Sequence, residues 1–365
     1  MSRSRTETIV RELQDVVDAL GEPLRQSFQN MHGGYPEATL ERFLRARDGD
    51  ATKASKMIVD CLNWRVKNRI DNILAEPILP KEKFDAIRQT QLIGFCGFCK
   101  QGRPVFAIGV GNSTFDQASV DKYVQSHIQI NEYRDRIILT EISTNKGRYV
   151  GTCLKILDMT SLSLSAISRL KTSTAIATID DLNYPEKTDT YYIVNAPHVF
   201  STCWKAVKPM LHERTKRKVQ VLRGNGQEEL LQVMDFETLP PFCKPGISSS
   251  NESDIFSPDH QFHVKLYNHI QQMALSTDRV LNGLSSEGSL NIEVPTSAEQ
   301  SQHSDECEVV HGIGSVLPTL QASPNDSYQH QRDTLTSNIA GLQGKSSCLW
   351  LVLVLVAVYF MRGLW

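Results

Sequence analysis

Between about residue 92 and residue 223 the chain alternates two textures, and this restricts the fold more than any other feature. Short β-rich runs, "RPVFAIGV", "CLKILDM", "TYYIVNA" and "RKVQVLRG", alternate with helical stretches such as "SVDKYVQSHIQINEYRDRIILTEI" and "SLSAISRLKTSTAIATIDDL". Strands of about four to seven residues spaced by helices of about ten to twenty predict an α/β domain with a mixed, partly parallel sheet. "LIGFCGFCKQGRPVFAIGV" reads as two strands around the turn "KQGRP". Its Cys96 and Cys99 form a lone CxxC without a second pair or a spaced His pair. Zinc needs four ligands and redox CxxC motifs open helices, so these read as structural thiols.

Upstream, residues 7 to about 75 are helical in pattern. Leu40, Phe43 and Leu44 share one face; Ala54, Ile58, Cys61 and Leu62 share another. Between them "RDGD" offers Gly49 for a left-handed helix end and Asp50 for an N-cap, which predicts a tight helical hairpin. Downstream, Ser257 as N-cap and Pro258 at the first helical position open an amphipathic helix carrying Phe262, Leu266, Ile270 and Met273 on one side.

The expected organisation is a helical N-terminal subdomain (1–80), an α/β domain (81–250), a C-terminal amphipathic helix (251–282), a flexible linker (283–346) and an apolar tail (347–365). The linker is rich in Ser, Gly, Gln and Asn, with too few large apolar residues to offset the entropy of ordering. As coil it reaches an r.m.s. distance near ~45 Å. The tail, "CLWLVLVLVAVYFMRGLW", contains an unbroken apolar run of about fourteen residues from 348 to 361. Extended to Trp365 it makes about 27 Å of helix interrupted only by Arg362, whose side chain can snorkel. That suits a short single transmembrane tail anchor. A buried core element is the competing reading, which the intervening polar linker disfavours. The start, "MSRSRTETIVRELQDVV", lacks the apolar run of a secretory signal. The body is therefore expected in the cytosol, on the face of an endomembrane such as ER or Golgi.

Composition excludes more than it selects. The 39 basic and 41 acidic residues nearly cancel, so no bulk field favours nucleic acid. There is no GxSxG, no GxxxxGK[ST], no full GxGxxG and no HExxH, and neither catalysis nor a cofactor or metal is expected. Charge is concentrated locally instead. Lys205, Lys208, Arg214, Lys216, Arg217, Lys218 and Arg223 face one acid, Glu213, over nineteen positions. Such a cluster suits an anionic membrane surface, each base near a charged bilayer contributing about 1 kcal/mol. A solvated face is the alternative.

Three stretches together resemble the CRAL-TRIO lipid-binding family, in particular its phosphatidylinositol transfer proteins. They are "LERFLRARDGDATKASKMIVDCLNWR" (40–65), "QGRPVF" (101–106) and "NYPEKTDTYYIVNAPHVFSTCWKAVKPMLHERTKRKV" (183–219), followed by "EELLQ" and "LPPFCKPG". The resemblance implies a sheet that floors an apolar lipid pocket, closed by a mobile helical gate near Phe200 to Leu211. It also implies a headgroup site at Arg47, Glu186, Lys187, Thr215 and Lys218. The chemistry fits: Arg47 and Lys218 can meet phosphate oxygens, while Glu186 and Thr215 can bond inositol hydroxyls. A helix-surface ion pair for Arg47 and a loop carboxylate for Glu186 are the competing structural roles.

The chain also departs from the pattern. Asp48 stands where a base often follows FLRAR. "GTCLKILDM" brings Cys153 and Lys155, and Asp180 replaces a Ser, where phosphatidylcholine-binding relatives carry small hydroxyls. A buried lysine or aspartate counts against a choline pocket. The expected function is phosphatidylinositol binding and transfer, or presentation to a lipid kinase. Carriage or sensing of another hydrophobe, such as a sterol or prenyl lipid, is the alternative, since one fold hosts many ligands.

Overall fold

The computed structural model describes residues 3–162, 170–197, 200, 204, 208–210, 213–244 and 254–286. Helices α1 (Arg3–Asp18), α2 (Glu22–His32), α3 (Pro36–Ala46) and α4 (Ala51–Lys67) form the N-terminal layer. Pro36 sits in the first turn of α3, where its missing N–H costs nothing. The α3–α4 hairpin turns as the sequence predicts: Gly49 takes φ 83°, and the Asp50 carboxylate caps α4 by accepting from Lys53 N at 3.0 Å. Leu40, Phe43, Leu44, Ala54, Ile58, Cys61 and Leu62 are all buried, packed with Ile9, Val10, Leu13 and Val17 of α1. Each large apolar side chain so removed from water stabilises the layer by about 1.5–3 kcal/mol.

After α5 (Lys81–Thr90) the α/β domain begins. Its five strands, β1 (Ile93–Phe98), β2 (Pro104–Gly109), β3 (Cys153–Asp158), β4 (Thr188–Val194) and β5 (Val219–Val221), lie in sequence order across one sheet. β1 pairs antiparallel with β2, and the other three pairings are parallel. The sheet is therefore mixed, as the alternation of textures requires. Cys96 is the extra residue of a bulge in β1, next to Gly97 at φ 105°. Burial pushes the Cys96 thiol up to about 12, which suits a structural role.

Helices α6 (Val120–Tyr133) and α7 (Leu139–Lys146) join β2 to β3 as one helical run, interrupted by a π-helical turn, Arg134–Ile138. Residues 126–134 are all buried. This run is thus enclosed on every side although it carries His127, Gln129, Asn131, Glu132 and Arg134. Helix α8 (Leu170–Asn183) joins β3 to β4; α9 (Glu213–Lys218) precedes β5, and α10 (Gln227–Leu230) follows it. Side chains alternate across the sheet. Val105, Leu154, Ile156, Tyr192 and Val194 pack with Leu230, Met234 and Leu239 on one face. Phe106 and Cys153 face the other way, into a core with Tyr123, Ile128, Ile130 and Ile179.

The last helix, α11 (Gln261–Ser286), adds Phe262, Leu266 and Ile270 to that second core. Three expectations change here. The helix starts after Ser257 and Pro258, which lie in turns where Ser257 Oγ accepts from Asp259 N at 3.2 Å. It runs to Ser286 rather than 282. Met273, on the same stripe, is 38% exposed, because the packed face ends at Ile270. None of the described helices is long and apolar enough to cross a membrane. The tail, the linker beyond Ser286 and most of the expected gate lie outside the described residues; within the gate Phe200 and Trp204 are buried.

Candidate functional site

The site forms where the α8–β4 loop meets the centre of the sheet. Pro185 makes the loop turn, and Glu186 follows in a left-handed conformation, φ 59°. A non-glycine residue held there costs about 1–3 kcal/mol and persists only where its surroundings enforce it. The turn aims Glu186 at the end of α9, where Lys218 Nζ lies 2.8 Å from its Oε2. The next residue, buried Lys187, places Nζ 3.0 Å from Asp135 Oδ2.

Asp135 reaches this point from the π turn. That turn adds a residue to the helical repeat, a device frequent at functional sites. Arg134 Nε donates to Asp135 Oδ1 at 2.7 Å, and its Nη1 to Asn131 Oδ1 at 2.9 Å. Against the penalty of burial, Arg134 and then Lys187 hold the Asp135 carboxyl well below the usual carboxylate range. Burial, and then the charges of Arg42 and Arg134, pull the Lys187 ammonium down to about 8 although Asp135 opposes them.

Lys155 rises from the middle of β3, in register with Phe106 and Tyr191 on its neighbours. Its Nζ lies 3.7 Å from Asp180 Oδ2 and 5.7 Å from the centre of the Tyr191 ring. Asp180 is further tied by His127 Nε2 at 2.7 Å and by Asn131 Nδ2, which donates at 2.8 Å. Against burial, His127 and then Lys155 keep Asp180 well below its ordinary range. The cost of burying Lys155 and Asp180 is thus partly offset by pairing. Arg134, Lys155, Asp180, Glu186, Lys187 and Lys218 line one small polar cavity, completed by Tyr184, Thr188 and Tyr191.

Of the five headgroup residues named from the sequence, Glu186, Lys187 and Lys218 converge on this cavity. Arg47 does not line it: half-buried at the end of α3, its Nη1 donates to the Ala46 carbonyl at 3.0 Å. Arg42, one helical turn earlier and 2% exposed, reaches the loop instead, donating to the Pro185 carbonyl at 2.8 Å. Thr215 lies in α9, but its side chain and that of Arg214 are outside the described residues, as is Lys205. Of the remaining basic cluster, Lys208 and Arg217 are exposed, and Lys216 pairs with Glu213 at 2.6 Å.

Sequence reading missed Arg42, Arg134 and Asp135. The available signal was the run "NEYRDR", a dense cluster of charges inside one continuous helical stretch. Among the described residues no group of His, Cys, Asp and Glu is placed to hold a metal.

Fold and cavity together define an α/β ligand-binding domain with a helical N-terminal layer and a cationic interior. The CRAL/TRIO domain model matches residues 88–244, and the CRAL/TRIO N-terminal domain model matches residues 9–60. The chain is 30% identical over 252 residues to phosphatidylinositol/phosphatidylcholine transfer protein SFH11 of Arabidopsis thaliana, covering 65% of this chain and 66% of that one. It is 30% identical over 215 residues to the SEC14 cytosolic factor of Eremothecium gossypii, covering 56% and 67% respectively. A further Arabidopsis relative, phosphatidylinositol/phosphatidylcholine transfer protein SFH7, is 29% identical over 207 residues and is matched over only 38% of its length. The crystal structure of Sfh5 superposes with a TM-score of 0.50 at 16% identity, covering 79% of this chain and 99% of that one. The chain belongs to the CRAL/TRIO family.

Proposed function

We propose that the protein binds phosphatidylinositol and moves it between membranes, or presents it, on a cytosolic membrane face. The observation that carries this reading is the convergence of Glu186, Lys187 and Lys218 on one buried cavity. Family membership supports it, since two of the similar proteins are named phosphatidylinositol/phosphatidylcholine transfer proteins. Cations there meet the phosphate, and Glu186 with Thr215 bonds the inositol ring. The acyl chains require an equally dry surrounding, because each CH₂ left in water would cost about 0.8 kcal/mol. No covalent step is required, and the protein acts as a carrier rather than an enzyme. Choline binding is disfavoured, since Lys155 would repel a quaternary ammonium.

The apolar tail supports anchorage, with the linker as tether and the basic residues at Lys205, Lys208, Arg214, Lys216 and Arg217 meeting anionic lipid. The test is transfer of labelled phosphatidylinositol between two vesicle populations. The full chain should transfer it and Lys218→Ala should not. Removal of 348–365 should leave transfer intact but release the protein from membranes in flotation. Transfer unaffected by Lys218→Ala would refute the headgroup assignment.

A second reading, carriage of another hydrophobe such as a sterol or prenyl lipid, draws on two observations: Arg47 lies off the cavity, and Lys218 and Glu186 already pair with each other. It predicts ligand loading indifferent to Lys218.

A further inference from the structure

The loop that carries Glu186 is gripped by three side chains of the N-terminal helical layer, one on each residue that precedes it. Cys61 of α4 donates from Sγ to the Asn183 carbonyl at 3.6 Å. Trp64, also of α4, meets the ring of Tyr184 edge-on, with 6.2 Å between centroids. Arg42 of α3 donates from Nη1 to the Pro185 carbonyl at 2.8 Å. On the other side Lys187 is fixed to the sheet, its carbonyl accepting from Cys153 N at 2.9 Å and its Nζ lying 3.0 Å from Asp135 Oδ2. Glu186 therefore lies between two held peptide groups.

Pro185 and Glu186 are the central pair of a turn. Proline at the first position suits both common turn types, but the positive φ of 59° at the second belongs to type II, which favours glycine or asparagine there. Glutamate takes type I, with both φ values negative, more readily. The two types differ by rotation of the peptide between the central residues, ψ of the first passing from about +120° to about −30°. That rotation carries the Pro185 carbonyl from one side of the turn to the other. A donor fixed beside this carbonyl therefore selects the type, and Arg42 is such a donor. Its guanidinium is buried, with Nε left unpartnered. Burying a guanidinium against a neutral carbonyl returns less than its desolvation costs. Packing stability does not account for an arginine at this position.

We propose that Arg42 is a positioning residue for the headgroup site: by holding the Pro185 carbonyl it keeps the turn in its type II form, and so keeps the Glu186 carboxylate directed at Lys218, 2.8 Å away. This rests on the reading of Glu186 and Lys218 as headgroup residues. Arg42 does not line the cavity and acts through Glu186. Without its hydrogen bond the peptide rotates, Glu186 returns to negative φ and its carboxylate leaves Lys218. The N-terminal layer in this way sets the geometry of a site that the α/β domain forms.

Two measurements on the full chain test this. In a crystal structure of ligand-free Arg42→Met, the Pro185–Glu186 peptide should be rotated, with Glu186 at negative φ and its carboxylate off Lys218. In the second, each protein is exposed to phosphatidylcholine vesicles containing phosphatidylinositol, and bound lipid is quantified by mass spectrometry. Arg42→Met, Glu186→Ala and the two together should each lower bound phosphatidylinositol by the same factor, about tenfold, because both substitutions remove one group from the site. Arg42→Lys, which keeps a donor for the carbonyl, should recover most of the loss. A purely structural role would instead make Arg42→Met lower loading by an equal factor whether or not Glu186 is present. That result, no loss in Arg42→Met, or a turn unchanged in its crystal structure overturns the inference and leaves the phosphatidylinositol reading intact. A rotated turn in Arg42→Met with no phosphatidylinositol bound to any of the proteins refutes that reading and keeps Arg42 as the residue that orients Glu186. If Arg42→Met does not fold, Arg42→Gln, whose side chain ends two bonds short of the arginine donors, carries the same comparisons.

Discussion

Around Glu132, at the end of α6, Arg65 donates to both carboxylate oxygens at 2.8 and 3.0 Å, and reaches Asp71 at 2.7 Å. Tyr184 donates its hydroxyl to Glu132 Oε1 at 2.7 Å, and Arg136 closes the group on the Asp71 carbonyl at 2.8 Å. Two or three residues further along the same run, Arg134 and Asp135 enter the cavity cluster, where cations outnumber carboxylates and donors stay unpartnered. Both clusters are buried and both rely on arginine. The first balances its charge internally and ties α4, α6 and the α8–β4 loop together. The second leaves Arg134 Nη2 without a hydrogen-bond partner in a residue that lines the cavity. Burial of charge alone therefore does not distinguish the two clusters; the unpartnered Arg134 donor beside the cavity does.

The comparison breaks first if the closed cluster proves dispensable. Glu132→Gln or Arg65→Met leaves a buried charge unpaired and should destabilise the protein by about 3–5 kcal/mol in urea unfolding, with m unchanged. A loss under about 1 kcal/mol would mean that the cluster is no more structural than its neighbour.

A smaller effect separates the clusters by pH. Lys187 titrates near 8 in the folded protein against an ordinary value of 10.5. Between those limits the unfolded chain binds the extra proton, so this group makes stability rise as pH increases from about 8 to about 10.5. In the ligand-free protein the rise should be on the order of 2 kcal/mol, and Lys187→Met should lack it. Parallel profiles for the two proteins would contradict the open cluster.

Lys218→Ala should cost about 1–3 kcal/mol of stability, because it takes a close partner from the little-exposed Glu186 carboxylate. It should nevertheless reduce lipid loading about tenfold. Asp50→Ala, remote from both clusters, should cost about 1 kcal/mol through loss of the α4 cap and leave loading unchanged. Any change in loading there would show that the helical hairpin takes part in binding.

Much of the frame was legible because local chemistry decides it. Gly49 and Asp50 set the hairpin between α3 and α4, and the β-rich runs supplied the four C-terminal strands with the β1–β2 turn beside them. Lys155 and Asp180 were visible as departures from the small hydroxyls that phosphatidylcholine-binding relatives carry there. What the sequence hid depends on long-range placement. The π turn that presents Arg134 and Asp135 leaves no periodicity signal of its own, and the left-handed Glu186 is imposed by the loop around it. The motif "FLRAR" contains three plausible arginine positions once Arg42 is included from the turn before. Only tertiary contact shows Arg42 at the Pro185 carbonyl and Arg47 turned back on its own helix. Met273 read as core because helical spacing continues past the point where the body ends.

The most direct test of the central claim is mass spectrometry of lipid extracted from the full-length protein after exposure to mixed-phospholipid membranes, alongside the double variant Thr215→Ala, Lys218→Ala. An inositol phospholipid bound to the unaltered protein and lost from the variant is the predicted result. A sterol, a prenyl lipid or no lipid at all, alike in both proteins, would contradict it.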